Sequence, residues 1–258
     1  MRLMKRILSA AAVLALSASL LVGCSSGTAS SVPVSASSAA ESTVSSVEET
    51  ASSAVDENEA AAAQLLNDLT GSYQELWPVI LADEYKQTWL DDCTALVGEE
   101  NAEAAFEKLS SMVTGDVYGE DAVEAYANGG GAYFCGFTNS LATLTFDGET
   151  STISGTDKDG NVLFSHTYHY IGMEPVHGLY EFESDDADSG EFTYFFLAPD
   201  TSAETYHIEF RYGSDAEALS QYDTGEYAYW LASGISTDCD QTMIDNCIEL
   251  FCTENLAG

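Results

Sequence analysis

From residue 132 onward, apolar side chains recur at every second position in short runs broken by turn residues. This spacing constrains the fold more than any other feature, because successive side chains of an extended strand point to opposite faces. The runs are 132–137, 141–146, 152–155, 162–171, 178–182, 192–197 and 205–212. Asp147-Gly148, Asp159-Gly160 and Ser189-Gly190 punctuate them as turns. A meander of about six to eight short strands predicts an antiparallel barrel or sandwich.

Upstream the period is helical. Between Gln64 and Tyr126, apolar residues fall at three- and four-residue spacings over 91–105 and 103–113, with Gly98 as the break, and the run Gly129-Gly130-Gly131 ends the region. Helical spacing returns from Asp238 to Leu256, with Met243, Ile244, Cys247, Leu250 and Phe251 on one side. The expected order is helices, meander, helix, in a single mainly β domain with flanking helices at residues 63–258.

The first 62 residues read differently. Residues 1–24 have a basic start (Arg2, Lys5, Arg6) and an uncharged apolar run from Ile7 to Val22, too short for a membrane span and laid out as a secretory signal. Leu21-Val22-Gly23-Cys24 resembles a bacterial lipobox, which makes Cys24 the expected lipidation site and lipid the expected membrane anchor. Acyl chains contribute about 0.8 kcal/mol per buried methylene, so a multiply acylated cysteine holds durably. Residues 25–62 are rich in Ser, Ala, Val, Thr and Glu and contain no aromatic residue, the composition of a flexible tether. The alanines at 60–63 are a candidate start for the first helix.

Charge narrows the function classes. The chain carries 43 Asp and Glu against 7 Lys and Arg, a formal charge of −36, and three of the seven cations lie in the first six positions. So few cations cannot neutralise phosphates, which excludes nucleic acid as a partner. Hydrophobic residues still make up 45% of the chain, enough for a folded core under an acidic skin.

No catalytic constellation stands out. Ser165 adjoins His166, but neighbours on a strand point apart, and no nucleophile elbow, Walker loop, dinucleotide fingerprint or His-Glu-x-x-His occurs. The chain is therefore read as a non-enzyme. Asp157-Lys158-Asp159-Gly160-Asn161 begins like a calcium loop, but its Gly stands fourth and Tyr168 occupies the twelfth position, so a hairpin turn is expected. Asp185, Asp186 and Asp188 are read as a solvated loop. Cys93, Cys135, Cys239, Cys247 and Cys252 show no CxxC spacing and are read as structural. His207 and Glu209, two apart on a strand, share one face and offer an imidazole and a carboxylate, half of a zinc site. His166 and His169, three apart, fall on opposite faces of a regular strand. The strand aromatics are read as core, with a barrel pocket for an apolar ligand as the alternative.

Leu69 to Ile80, reading LTGSYQELWPVI, resembles without gaps the opening pattern W-x-G-x-W-Q-S-V-Y-P-L-L of the ZinT (YodA) domain family, keeping Gly71, Gln74, Pro78 and both later aromatic positions. Phe192 to Pro199 and His207 to Gly213 are similar to that family's F-S-D-H-I-I-A-P and H-F-H-I-F-x-G. Tyr168 to Gly172 and Gly178 to Glu183 resemble its Y-x-Y-x-G and G-V-R-Y-L-F-E. The resemblance covers essentially the whole domain and implies a lipocalin-like antiparallel barrel. It also implies zinc bound through three histidines. Here the first of those positions is Phe195, and the other two are His207 and Glu209 when Gly213 anchors the alignment; a shifted alignment puts Thr205 and His207 there.

The resemblance thus implies an envelope lipoprotein outside the cytoplasm that captures zinc or a related divalent cation through His207 and Glu209. Its partner would be a metal-uptake transporter or its binding protein. The alternative is a divergent member that has lost metal binding and recognises a small molecule or a protein, which the loss of histidine at Phe195 favours.

Overall fold

Six of the seven period-two stretches fold as strands. A computed structural model describes residues 57–198 and 207–257. Cys24, the signal and the tether up to residue 56 lie outside the described residues, as does the segment 199–206. Eight antiparallel strands pair in sequence order and close into a barrel: β1 (Gly71–Glu75), β2 (Thr143–Asp147), β3 (Thr152–Thr156), β4 (Val162–Met173), β5 (Tyr180–Ser184), β6 (Tyr194–Leu197), β7 (His207–Gly213) and β8 (Ala232–Ser236). Closure comes from β1 pairing with β8, Tyr73 opposite Ser236 and Glu75 opposite Gly234.

Seven helices flank the barrel among the described residues: α1 (57–68), α2 (Leu76–Ile80), α3 (Lys86–Val97), α4 (Glu99–Val113), α5 (Glu120–Ala127), α6 (Ala216–Leu219) and α7 (Gln241–Leu256). Helix α1 opens inside the last residues of the expected tether, and its Ala62 is fully buried. Gly98, at φ 84°, separates α3 from α4 as its sequence position predicts. Asp240 caps α7 by accepting a hydrogen bond from the Met243 amide at 3.0 Å. No helix among the described residues is long and apolar enough to cross a membrane.

Three elements differ from the sequence reading. β1 lies within the stretch read as helical; its five residues run straight into α2, too few to display a period. β8, reading Ala-Ser-Gly-Ile-Ser, has no apolar alternation because it is covered on both faces. Its Gly234 is required by close approach: a Cβ there would lie 3.1 Å from the Ile208 side chain and 3.3 Å from the Gln74 carbonyl. The run 132–137 is not a strand. Phe134 makes only single bridges, to Thr114 and Trp230, and the run is apolar because it is tucked between helices and barrel.

Two cores result. Inside the barrel, rings from Tyr73, Phe146, Phe164, Tyr168, Phe182, Phe195, Phe210 and Tyr212 pack together, with Phe164 stacked on Phe192 at 4.0 Å. Burying each ring contributes about 2–3 kcal/mol. Outside it, α2, α3, α4 and α7 bring Leu76, Trp77, Trp89, Leu109, Ile248 and Phe251 over β8 and its Ile235. The strand between these layers is β7, every residue of which is buried. Its alternation therefore sends Ile208, Phe210 and Tyr212 inward, and His207, Glu209 and Arg211 outward under cover.

Arg211 is fully buried. Its guanidinium donates to the carbonyls of Leu219, Gln221 and Tyr227 and lies over the Tyr222 ring, 4.2 Å from the centroid. Removing it orphans the buried carbonyls of Leu219 and Tyr227, so Arg211→Met should lower the unfolding free energy by about 2–5 kcal/mol in urea denaturation. Arg211→Lys should recover only a minor part, since an ammonium lacks the planar fork.

Candidate metal centre

His207 and Glu209 occupy neighbouring outward positions on β7, opposite Ile235 and Ser233 of β8. Both are buried, at 5% and 8% exposure, so neither side chain meets bulk water. Leu76, Trp77, Cys247 and Phe251 wall the space at His207; Trp77, Tyr133, Cys135, Ser233 and Phe251 wall that at Glu209. Trp77 and Phe251, in edge contact at 4.7 Å between centroids, belong to both spaces. The space beside Glu209 is about 20 Å³, room for about one water. Burial first, then the charge of Glu209, pushes the Cys135 thiol far up, so it is protonated at neutral pH.

The pair fits half of a zinc shell. The third position implied by the resemblance does not join it, because Phe195 is fully buried inside the barrel, opposite Tyr212 of β7 and packed on Tyr168 and Phe210. The strand wall separates Phe195 from His207 and Glu209, and a phenyl ring offers no lone pair to a metal. Among the described residues no group of three or more His, Cys, Asp and Glu side chains is placed to hold a metal ion. Thr205, of the shifted alignment, lies outside the described residues.

The other histidines have carboxylate partners. His166 Nδ1 lies 2.7 Å from Asp186 Oδ2 and His169 Nδ1 2.8 Å from Asp185 Oδ1, so two acids read as merely solvated instead clasp β4 from the loop after β5. These partners face solvent and contribute little to stability. His177 lies at the tip of the β4–β5 hairpin, its Nδ1 3.3 Å from Glu174 Oε2 and its ring 3.8 Å from that of Tyr222. Glu174 is fully buried and accepts from the amides of Val176 and His177 at 2.9 and 2.6 Å. Asp157 accepts from the Asp159 and Asn161 amides, each at 2.9 Å, which makes its segment the expected hairpin turn.

One feature escaped the sequence altogether. A surface groove of about 340 Å³, lined by Glu75, Trp77, Pro78, Leu81, Phe134 and Gly136, adjoins the space at Glu209 through Trp77, Val113 and Cys135. It is assembled from the β1–α2 junction, the end of α4 and the crossing run at 134–136, three segments that share no local pattern.

No family model and no curated protein matches this chain. Among solved structures it is similar to the Zn(II)-bound ZinT-like domain of Streptococcus pneumoniae AdcA, at 15% identity over 70% of this chain and 87% of that one, with a TM-score of 0.44. It is also similar to Zn(II)-bound AdcA from the same organism, at 13% identity over 71% of this chain and 34% of that one, with a TM-score of 0.41.

Glu174 supplies a pH prediction. Burial alone would raise its pKa, but hydrogen bonds from the His177 side chain and from the His177 and Val176 amides outweigh it and hold the pKa below the ordinary 4.5. A depressed carboxyl pKa contributes stability that is fully present above 4.5 and is lost as the pH falls through the folded value. Glu174→Gln should therefore be less stable than the natural chain at pH 7, and the difference should shrink at pH 3, read by urea denaturation at both pH values.

Proposed function

We propose that the chain is a non-catalytic binding module of ZinT type, held outside the cytoplasm by lipid at Cys24. It takes zinc or a related divalent cation at His207 and Glu209, on the outer side of the barrel and not within it, for delivery to a metal-uptake transporter or its binding protein. The carrying observation is that an imidazole and a carboxylate are buried side by side beneath Trp77 and Phe251. A carboxylate withdrawn from water is costly, and a cation offsets that cost. Two protein donors leave the rest of the shell to water or a nearby carboxylate. The acidic domain adds a diffuse attraction for cations that salt screens beyond about 8–10 Å.

A second reading rests on the groove beside Trp77 and on the ring of Phe195 in place of a histidine. In that reading metal binding has been lost and the groove recognises a small molecule or a protein through apolar contact.

Zinc titration of the full chain by calorimetry separates the two. The cation reading expects one saturable equivalent that disappears in both His207→Ala and Glu209→Ala. No saturable binding to the natural chain would favour the groove, and equal binding to all three would overturn His207 and Glu209 as the ligands. A thermal-shift screen of small organic ligands would then show a rise in apparent Tm for the natural chain.

A further inference from the structure

We infer that Cys93 and Cys252 form a native disulfide that staples α3 to α7. Cys93 stands one turn after Trp89 on α3, and Cys252 follows Phe251 on α7. Trp89 and Phe251 meet edge to face at 5.9 Å, which fixes how the two helices dock. The thiols, both fully buried, are thereby brought to 3.9 Å between sulfurs across 159 positions of chain. Closing that distance to the about 2.0 Å of a disulfide asks each sulfur to move about 1 Å, within the reach of a side-chain adjustment. With Cys24 taken by lipid, the pair leaves three thiols, Cys135, Cys239 and Cys247.

The oxidant is a disulfide of low molecular weight or of a thiol–disulfide oxidase. One cysteine thiolate attacks it, forming a mixed disulfide and expelling a first thiolate. The second cysteine then attacks the sulfur of the first, expelling a second thiolate. Two electrons and two protons pass to the oxidant, which leaves as two thiols. Both thiols are fully buried once α7 docks on α3, out of reach of an oxidant, so exchange takes place while α7 is still undocked.

In the cell the oxidant requires the extracytoplasmic position proposed above. The test supplies it instead, and so reads the pair whatever the location or cargo. The full chain is unfolded with reductant, refolded in mixed reduced and oxidised glutathione, and digested without reduction for mass spectrometry. The expected result is one dominant Cys93–Cys252 peptide, two fewer titratable thiols, and a Tm higher by about 5–15 °C than the same chain refolded in reductant. Cys93→Ser should show no such difference between the two refolding conditions. Dominant pairing through Cys135, Cys239 or Cys247, no pairing, or a Tm unchanged by the bond would overturn the inference. Zinc titration of the oxidised chain reports on the cation reading separately.

Discussion

The buried guanidinium of Arg211 organises one whole side of this molecule. Only four cationic side chains follow position 6; Lys86, Lys108 and Lys158 are exposed, and the single arginine is fully buried. A charge there needs its donors met, and the carbonyls of Leu219, Gln221 and Tyr227 take those of its two terminal nitrogens. Burial pulls its pKa down, while Tyr222, Tyr133 and the carboxylate of Glu174 act the other way. The loop between α6 and β8 is thus fastened to β7, and Tyr222 carries the fastening on to His177 at the β4–β5 tip.

That fastening is one part of a broader condition, the covering of β7 on both sides. A barrel strand with a wet outer face would leave His207 and Glu209 as ordinary surface groups. Here α2 and α7 close over them, and their chemistry becomes that of an interior, where one proton or one cation changes the free energy by kilocalories.

Six of the eight strands were legible because a period of two survives wherever one face is buried against rings, as at Phe164, Tyr168, Phe182 and Phe195. It failed at β8, where both faces are covered and small residues predominate, and at 132–137, where apolar residues line a crossing segment and not a ladder. The shared face of His207 and Glu209 followed from their spacing. Which side of the wall that face lies on did not, because direction is set by closure and by the register that puts Phe195 opposite Tyr212. Arg211 had a readable signal, a lone arginine in an apolar strand of an acidic domain, whose meaning needed the carbonyls that meet it.

Closing the ring between β1 and β8 has a consequence for crowding. Every strand has a neighbour on each side, so the barrel offers no row of unpaired amides and carbonyls to a second copy. Strand addition is removed as a route to aggregation by topology, and with a formal charge of −36 the encounter of two copies is repulsive at long range. A dense two-dimensional layer of such domains would behave as a brush of separate particles, its spacing tuned by ionic strength.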